Sequence, residues 1–249
     1  MLNKLLSKIS RFFLNLTSKN YLLNHKFLNR HQITNLTIVM NSLKNRGYKP
    51  TNIYDVGCFE GKWTIQMLKI FNNSHYFLFD ANKDNETVLN NLKQKLPNIS
   101  YKIRLLSDDI KEYPFFKMKS GSSIFEEQTN HPRETVKITS TTLSSEVHND
   151  LVKSKDNLIK IDAQGSEIKI LNGLKDFIKN FEVIILEVSL HQYNKGAPLF
   201  DEVLRFMDGK NFQFYDIYDL KRLGENKSFL IQFDTIFIRK NSSLLDVKF

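Results

Sequence analysis

Apolar residues recur every three to four positions near the start of the chain, which predicts an amphipathic helix over residues 2–16. Its apolar side is formed by Leu2, Leu5, Leu6, Ile9, Phe12, Phe13 and Leu16. Its polar side carries Lys4, Lys8, Arg11 and Asn15. Two interpretations stay open, because such a helix can pack on the domain or a partner subunit, or lie in a membrane surface. A second helical pattern within residues 20–49 ends at Gly47, which we expect directly after the C-cap.

From residue 52 onward, short apolar segments alternate with helical patterns. The predicted strands are 52–56, 75–80, 99–106, 157–162, 181–188, 211–218 and 229–239, and the predicted helices are 61–71, 84–96, 166–178 and 198–209. Residues 108–150 look irregular, with β-like pieces at 113–118 and 135–139. This order predicts an α/β fold with a doubly wound, mostly parallel seven-stranded sheet. Because no helical pattern separates the last two strands, we expect a terminal antiparallel pair, as in Rossmann-like methyltransferases.

The charge is concentrated at the N-terminus. The 249 residues include 36 Lys+Arg and 27 Asp+Glu, a formal net charge of +9. Residues 1–50 hold nine of the basic residues and no acidic ones, so the remainder of the chain is neutral. A nucleic-acid-binding domain would spread basic residues over its binding face, and we therefore expect no nucleic-acid partner. We divide the chain into a basic helical extension (1–50), one domain (51–240) and a tail (241–249).

The first predicted strand runs into a glycine turn, Asp55-Val56-Gly57-Cys58-Phe59-Glu60-Gly61, directly before a helix. Glycines at these places let the backbone turn tightly and approach a ligand. The spacing D-x-G-x-x-x-G differs from the dinucleotide fingerprint, and an acid can face the ammonium group of S-adenosylmethionine (SAM). Asp80 ends the second strand, where a carboxylate can accept both ribose hydroxyls. These features favour SAM over NAD.

Two further strand ends carry polar residues. Ser107-Asp108 follows the third strand and is suited to the adenine amino group, although this pair is also common in turns. The fourth strand ends in Asp162 and leads through Gly165 into a helix, in the segment Ile159-Lys160-Ile161-Asp162-Ala163-Gln164-Gly165-Ser166-Glu167.

That segment resembles the K-I-D-x-E-G-x-E block of FkbM-type methyltransferases. Other landmarks of the resemblance are Asp55-x-Gly57-x-x-x-Gly61, Gly121-Ser122-Ser123, Ser140-Thr141-Thr142-Leu143, Leu171-Asn172-Gly173, Glu187 and the segment 232–237. Three positions depart from the family pattern, namely Phe59, Ser144 and Gln164, which stands where Glu is usual. The resemblance covers residues 50–240. It implies a SAM-dependent O-methyltransferase whose acceptor is a hydroxyl of a sugar, a glycan, or a glycosylated or polyketide product.

We therefore predict SAM as the cofactor and list its binding residues as Asp55, Gly57, Cys58, Phe59, Gly61, Asp80, Ala81, Ser107, Asp108, Asp162 and Ala163. A sugar hydroxyl is a poor nucleophile and benefits from a general base. The candidates at the carboxyl ends of strands four and five are Asp162, Glu187 and His191. No His/Cys cluster has metal-ligand spacing, so we predict no metal.

Two alternatives remain at this point: an NAD-linked Rossmann enzyme, and a non-catalytic membrane or nucleic-acid adaptor that uses the basic N-terminus. The single cysteine, Cys58, fits a reducing compartment. We expect a cytoplasmic protein with peripheral contact to the inner membrane face through residues 1–19. The sequence leaves the oligomeric state open, a homo-oligomer included.

Overall fold

The computed structural model describes residues 35–146, 154 and 156–246. The helix predicted over residues 2–16 therefore lies outside the described residues. The second helical pattern forms α1 (Leu36–Asn45), which Asn35 caps through its side chain. Beyond α1 the amide of Gly47 donates to the Lys44 carbonyl and that of Tyr48 to the Leu43 carbonyl, with Gly47 at a φ of 96°. This is a Schellman motif, and it confirms Gly47 as the residue after the C-cap.

The remaining elements follow the predicted alternation closely. The strands are β1 (Asn52–Val56), β2 (His75–Asp80), β3 (Ile99–Ile103), β4 (Leu105–Ser107), β5 (Glu112–Lys117), β6 (Glu134–Thr142), β7 (Asn157–Ile161), β8 (Phe181–Ser189), β9 (Phe212–Leu223) and β10 (Phe229–Arg239). The helices are α2 (Lys62–Leu68), α3 (Glu86–Lys95), α4 (Leu143–Glu146), α5 (Glu167–Gly173) and α6 (Phe200–Gly209), with short 3-10 turns between them.

Seven strands form one sheet in the order β3-β2-β1-β7-β8-β10-β9. The pairs among β1, β2, β3, β7 and β8 are parallel, whereas β10 runs antiparallel to both β8 and β9. The strand order reverses at β1, so the crevice above the carboxyl ends of β1 and β7 is where open α/β sheets bind ligands. The predicted Rossmann-like methyltransferase fold with an antiparallel terminal pair is confirmed.

Each face of the sheet packs on its own apolar core, because successive side chains of a strand point to opposite faces. Ile53, Leu158, Val183 and Ile236 face the core that includes α1 and α2. The opposite core contains aliphatic and aromatic residues of the same strands packed on α5 and α6, among them Tyr54, Ile159, Ile184, Phe237, Ile170 and Met207. The sheet is thus held rigidly from both sides, and the loops at its carboxyl edge are placed accurately.

The third predicted strand is divided. β3 ends where the amide of Arg104 donates to the Asp80 carbonyl, and the chain then leaves the large sheet. β4 joins a second sheet of order β4-β6-β5, which residues 105–142 build beside the carboxyl edge. β5 and β6 confirm the β-like pieces predicted at 113–118 and 135–139, whereas the long-range pairing of the three strands into a sheet was not predicted. The segment between β5 and β6 (118–133), which we call the insert, packs on the loop after β8 through a bridge between Glu127 and Asn194.

Candidate functional site

The glycine turn after β1 contacts the turn after β7. Gly57 has a φ of 72°, and a Cβ atom built on it would lie 1.8 Å from the carbonyl oxygen of Asp162. Only glycine allows both this backbone conformation and this approach. Gly61, also at a φ of 72°, directly precedes α2. The two turns therefore form one continuous surface at the point where the strand order reverses.

Asp80 fixes this turn from the neighbouring strand. Its Oδ2 accepts a hydrogen bond from the Phe59 amide at 2.7 Å, and its Oδ1 accepts from the Asn82 amide at 2.8 Å and from Asn85 Nδ2 at 3.1 Å. Phe59 takes a left-handed φ of 49°, so this bond holds a conformation that a phenylalanine rarely adopts. Burial raises the pKa of Asp80, and the three donors oppose this rise.

A cavity of about 550 Å³ opens beside Asp80 and the two turns. Six predicted donor-binding residues line it: Gly57, Phe59, Asp80, Ala81, Asp162 and Ala163. Its other walls come from β1, β2, the β3–β4 connection, β4, β5, the insert and the region around the start of α5. The residues are Val56, Phe79, Arg104, Leu105, Leu106, Phe115, Lys119, Ser120, Ser122, Ser123, Ile124, Ser166 and Ile170.

Three predicted donor-binding residues of the first turn lie behind this wall. Asp55 is fully buried, and its Oδ2 accepts a hydrogen bond from Thr64 Oγ1 at 2.6 Å. Cys58 is buried in the core under α1, and Gly61 faces Leu92 of α3. None of these three residues lines the cavity, and their contacts support the turn from the side of the protein core.

The pair Ser107-Asp108 also lies outside the cavity lining. Ser107 Oγ donates to Asp108 Oδ1 at 2.9 Å and lies 3.1 Å from the Tyr113 hydroxyl. Asp108 forms an ion pair with Lys169 of α5 at 3.4 Å. The two residues thus connect β4 to α5, and the preceding Leu105 and Leu106 face the cavity instead.

Asp162 brings a carboxylate to the cavity wall. Its Oδ2 accepts a hydrogen bond from Lys160 Nζ at 3.1 Å, and its Oδ1 accepts from Gln164 Nε2 at 3.0 Å. Burial alone would raise the pKa of Asp162, but Lys160 and Lys221 outweigh it and hold the pKa below its ordinary value. Asp162 is therefore an anion at neutral pH, and its side chain remains 24% exposed.

Glu187 is linked to Asp162 through the side-chain amide of Gln164. Gln164 Nε2, which bonds Asp162, also donates to Glu187 Oε2, and Lys221 Nζ contacts Glu187 Oε1. Burial and the Asp162 charge raise the pKa of Glu187 well above its ordinary value, while Lys221 acts against them. Gln164 has a left-handed φ of 52°, which its surroundings must hold in place. The family's usual Glu at this position would have placed a third carboxylate here.

His191 is exposed in the loop after β8. Its ring lies 6.3 Å from that of Phe229, centroid to centroid, in an edge-to-face arrangement. His191 does not line the cavity, whereas Asp162 does. Glu187 is buried between these two positions.

The sequence reasoning missed two groups of site residues. Phe115 of β5 and the insert residues Lys119, Ser120 and Ile124 reach the cavity through long-range folding, for which a local pattern carries no signal. Lys160, in contrast, was detectable from the local sequence, because a charged residue inside an apolar strand that is covered on both faces needs a buried partner. The Glu167 carboxylate holds the turn between β7 and α5 by accepting hydrogen bonds from the amides of Ala163 and Gly165.

Among the described residues, no group of three or more His, Cys, Asp or Glu residues is arranged to hold a metal ion. Within the same ranges, no helix has the length and apolarity needed to span a bilayer.

The sheet order, the glycine turn and the cavity define a Rossmann-like methyltransferase domain. Residues 55–214 match the model of the methyltransferase FkbM domain. The match covers well over half of the chain, and the protein belongs to this family. This membership favours the methyltransferase over the NAD-linked enzyme and the non-catalytic adaptor.

Solved structures with low sequence identity have a similar arrangement. Precorrin-6y C5,15-methyltransferase from Geobacter metallireducens is 10% identical with a TM-score of 0.41, and the alignment covers 83% of this chain and 91% of that one. M. capricolum TrmK, solved with its natural cofactor product S-adenosyl-homocysteine (SAH), is 14% identical with a TM-score of 0.42, covering 83% and 69%. WbdD is 11% identical with a TM-score of 0.48, covering 84% and 40%. Comparison with curated protein sequences gives no match.

Proposed function

We propose that this protein transfers a methyl group from SAM to a hydroxyl group of a sugar, a glycan, or a glycosylated or polyketide product. One observation carries the proposal. The cavity at the carboxyl edge of the sheet has a buried carboxylate, Asp80, at one wall and an ionised carboxylate, Asp162, at another. The first suits the ribose of the donor, and the second suits a proton-accepting role.

The residues present fit such a donor. A carboxylate offers about four lone pairs, and Asp80 uses three of them for Phe59, Asn82 and Asn85. One acceptor position on Oδ2 is left, so Asp80 in this geometry can accept one ribose hydroxyl, and not both as its place at the strand end had predicted. Gly57 supplies backbone that a ligand can approach without meeting a side chain. Phe59, Ala81 and Ala163 would complete the binding surface.

When bound, SAM would supply an electrophilic methyl group. Transfer to the acceptor forms an O–CH3 bond and breaks the S–CH3 bond, whose electron pair stays on sulfur. The acceptor hydroxyl loses its proton. The chain's own residues orient the acceptor and take that proton. Of the three candidate bases Asp162, Glu187 and His191, Asp162 is the one that lines the cavity, so we assign proton acceptance to it. Lys160 and Gln164 hold Asp162 in place and keep it ionised.

The acceptor class is tested by transfer of a deuterated methyl group. Full-length protein and labelled SAM are incubated with separated saccharide, protein and nucleic-acid fractions of the source cells, and the products are analysed by mass spectrometry. We expect label in saccharide or glycosylated products only, and about a hundredfold or greater loss of transfer for Asp162→Asn. Asp108→Asn, which alters a carboxylate outside the cavity, is the matched control. Label confined to nucleic acid or protein would contradict the proposed acceptor class.

The cellular location is a separate proposal that rests on the sequence of residues 1–19. We infer a cytoplasmic protein that contacts anionic membrane through this basic amphipathic segment. Co-sedimentation with anionic vesicles should fall with added salt and on deletion of residues 1–19. Equal sedimentation of the truncated protein would contradict this location.

A further inference from the structure

A row of polar side chains lies beneath the Asp162 end of the cavity. Asp55, Lys160, Glu187 and Asp234 are each two residues from a core residue of their strand, respectively Ile53, Leu158, Ile185 and Ile236. Because alternate residues of a strand share a face, all four point to the face covered by α1 and α2. With Asp162 and Lys221 they form what we call the carboxylate cluster.

The members of the carboxylate cluster are in contact. Lys160 Nζ lies 3.7 Å from Asp55 Oδ1 and 3.1 Å from Asp162 Oδ2. The Gln164 amide joins Asp162 to Glu187, and Lys221 contacts Glu187. Asp234 is the register partner of Glu187 across the β8–β10 pair. The cluster is thus one electrostatic unit.

Its charges do not balance. Four carboxylates (Asp55, Asp162, Glu187 and Asp234) face two ammonium groups (Lys160 and Lys221), an excess of two negative charges when all are ionised. Six other titratable groups of the described residues interact with members of the cluster, and none of these six is a cation: Cys58, Asp80, Glu167, Tyr193, Tyr218 and Asp219. Uncompensated buried charge is costly, so such a cluster binds protons or a cation.

The cluster has one open end. Asp55, Glu187 and Asp234 are at most 6% exposed, and Asp234 Oδ1 has no hydrogen-bond partner. Asp162 alone reaches the cavity wall, through a side chain that is 24% exposed. A cation that compensates the excess charge would therefore lie in the cavity, next to Asp162.

We propose that the carboxylate cluster makes this cavity select the positively charged donor SAM over the neutral product SAH, with Glu187 and Asp234 as specificity-determining residues. The proposal rests on the proposed function. The two ligands share their adenosine and amino-acid parts and differ only in the sulfonium or thioether sulfur. A buried carboxylate attracts the sulfonium through a medium of low dielectric constant and leaves the thioether unaffected. The product then leaves more readily than the donor.

Proton release accompanies this selection. Burial and the Asp162 charge raise the pKa of Asp234 to about 7, and burial raises that of Glu187. At neutral pH the ligand-free cluster therefore retains protons, and a bound cation favours the ionised forms and expels a proton. Lower pH favours the protonated forms and weakens SAM binding. SAM affinity should rise as pH increases through about 7, and more steeply than SAH affinity, because both ligands carry the amino-acid ammonium group and only SAM also carries the sulfonium.

The test is isothermal titration calorimetry of SAM and SAH with the full chain, at about one pH unit below and one above the pKa of Asp234. Each titration is run in two buffers of different ionisation enthalpy, which reveals proton release. We expect SAM to bind about tenfold more tightly than SAH at the higher pH, with a smaller ratio at the lower pH. We expect more buffer-dependent heat for SAM than for SAH.

Asp234→Asn and Glu187→Gln should each lower the SAM-to-SAH affinity ratio several-fold. Asp201→Asn, which alters an exposed carboxylate paired with Arg205 on α6, should keep the wild-type ratio. Equal affinities of wild type for SAM and SAH at both pH values would overturn the inference while leaving the proposed function standing. If neither ligand binds, the proposed function fails and the inference with it. Should a variant not fold, the pH dependence and proton release of wild type decide.

Discussion

Substitution of Gly57 by alanine tests the contact between the two turns. A Cβ atom at this position would lie 1.8 Å from the Asp162 carbonyl oxygen and 2.8 Å from its carbonyl carbon, at a φ of 72°. The left-handed conformation costs an alanine about 1–2 kcal/mol. Relief of the overlap requires the β1–α2 and β7–α5 turns to separate, which costs about 1–3 kcal/mol more. We therefore expect a loss of about 2–5 kcal/mol in the free energy of unfolding.

Thermal unfolding and urea denaturation measure this loss. For a chain of this length, each kcal/mol lowers Tm by about 2–4 °C. Gly196→Ala is the matched control, because Gly196 has a φ of 80° and nothing within 4 Å of the added methyl group. The free energy of unfolding of Gly196→Ala should fall only by the cost of the left-handed backbone conformation, about 1–2 kcal/mol. Equal losses in the two variants would refute the close approach of the turns.

Three further outcomes follow from the buried charges. Burial raises the pKa of Glu167 from 4.5 to about 7, so its contribution to stability is complete below pH 4.5 and is lost as pH rises through 7. Urea titrations should show Glu167→Gln gaining about 3 kcal/mol on wild type over this range, and a pH-independent difference would contradict the shift. Lys160→Met leaves Asp55 and Asp162 unneutralised and should lower the free energy of unfolding by about 3–5 kcal/mol; wild-type stability would argue against the ion pairs. Asp80→Asn should weaken SAM binding in calorimetry by about tenfold or more, because its amide repels the Phe59 N–H; unchanged affinity would argue against Asp80 as a ligand.

The local pattern of the sequence predicted most of the fold. β1, β2 and β10 begin and end at the predicted residues, since each is a largely apolar segment bounded by turn residues. The helix predicted over 166–178 is shorter, because α5 ends at Gly173, where Lys175 takes a left-handed φ of 52°. β9 continues to Leu223, beyond the predicted end at residue 218, because pairing with β10 extends it. Such pairing depends on tertiary contacts and leaves little signal in the strand itself.

The candidate site was predictable where one turn or one strand end forms it. Gly57, Asp80 and Asp162 are examples, since each follows from a strand end and its adjoining turn. The wall formed by the insert depends on contacts distant in sequence, such as Ser123 Oγ donating to the Gln164 carbonyl at 2.8 Å. The charge balance of the carboxylate cluster likewise appears only when five strands, β1, β7, β8, β9 and β10, are assembled.

The central claim is that the cavity between the β1–α2 and β7–α5 turns binds SAM. The most direct measurement is a calorimetric titration of SAM into wild type, with NADH as the rival ligand and with Gly57→Ala and Gly196→Ala as the two variants. The account predicts saturable one-to-one binding of SAM to wild type and to Gly196→Ala, strong loss of binding in Gly57→Ala, and no binding of NADH. Binding of NADH without SAM, or equal SAM affinity in the two glycine variants, would contradict it.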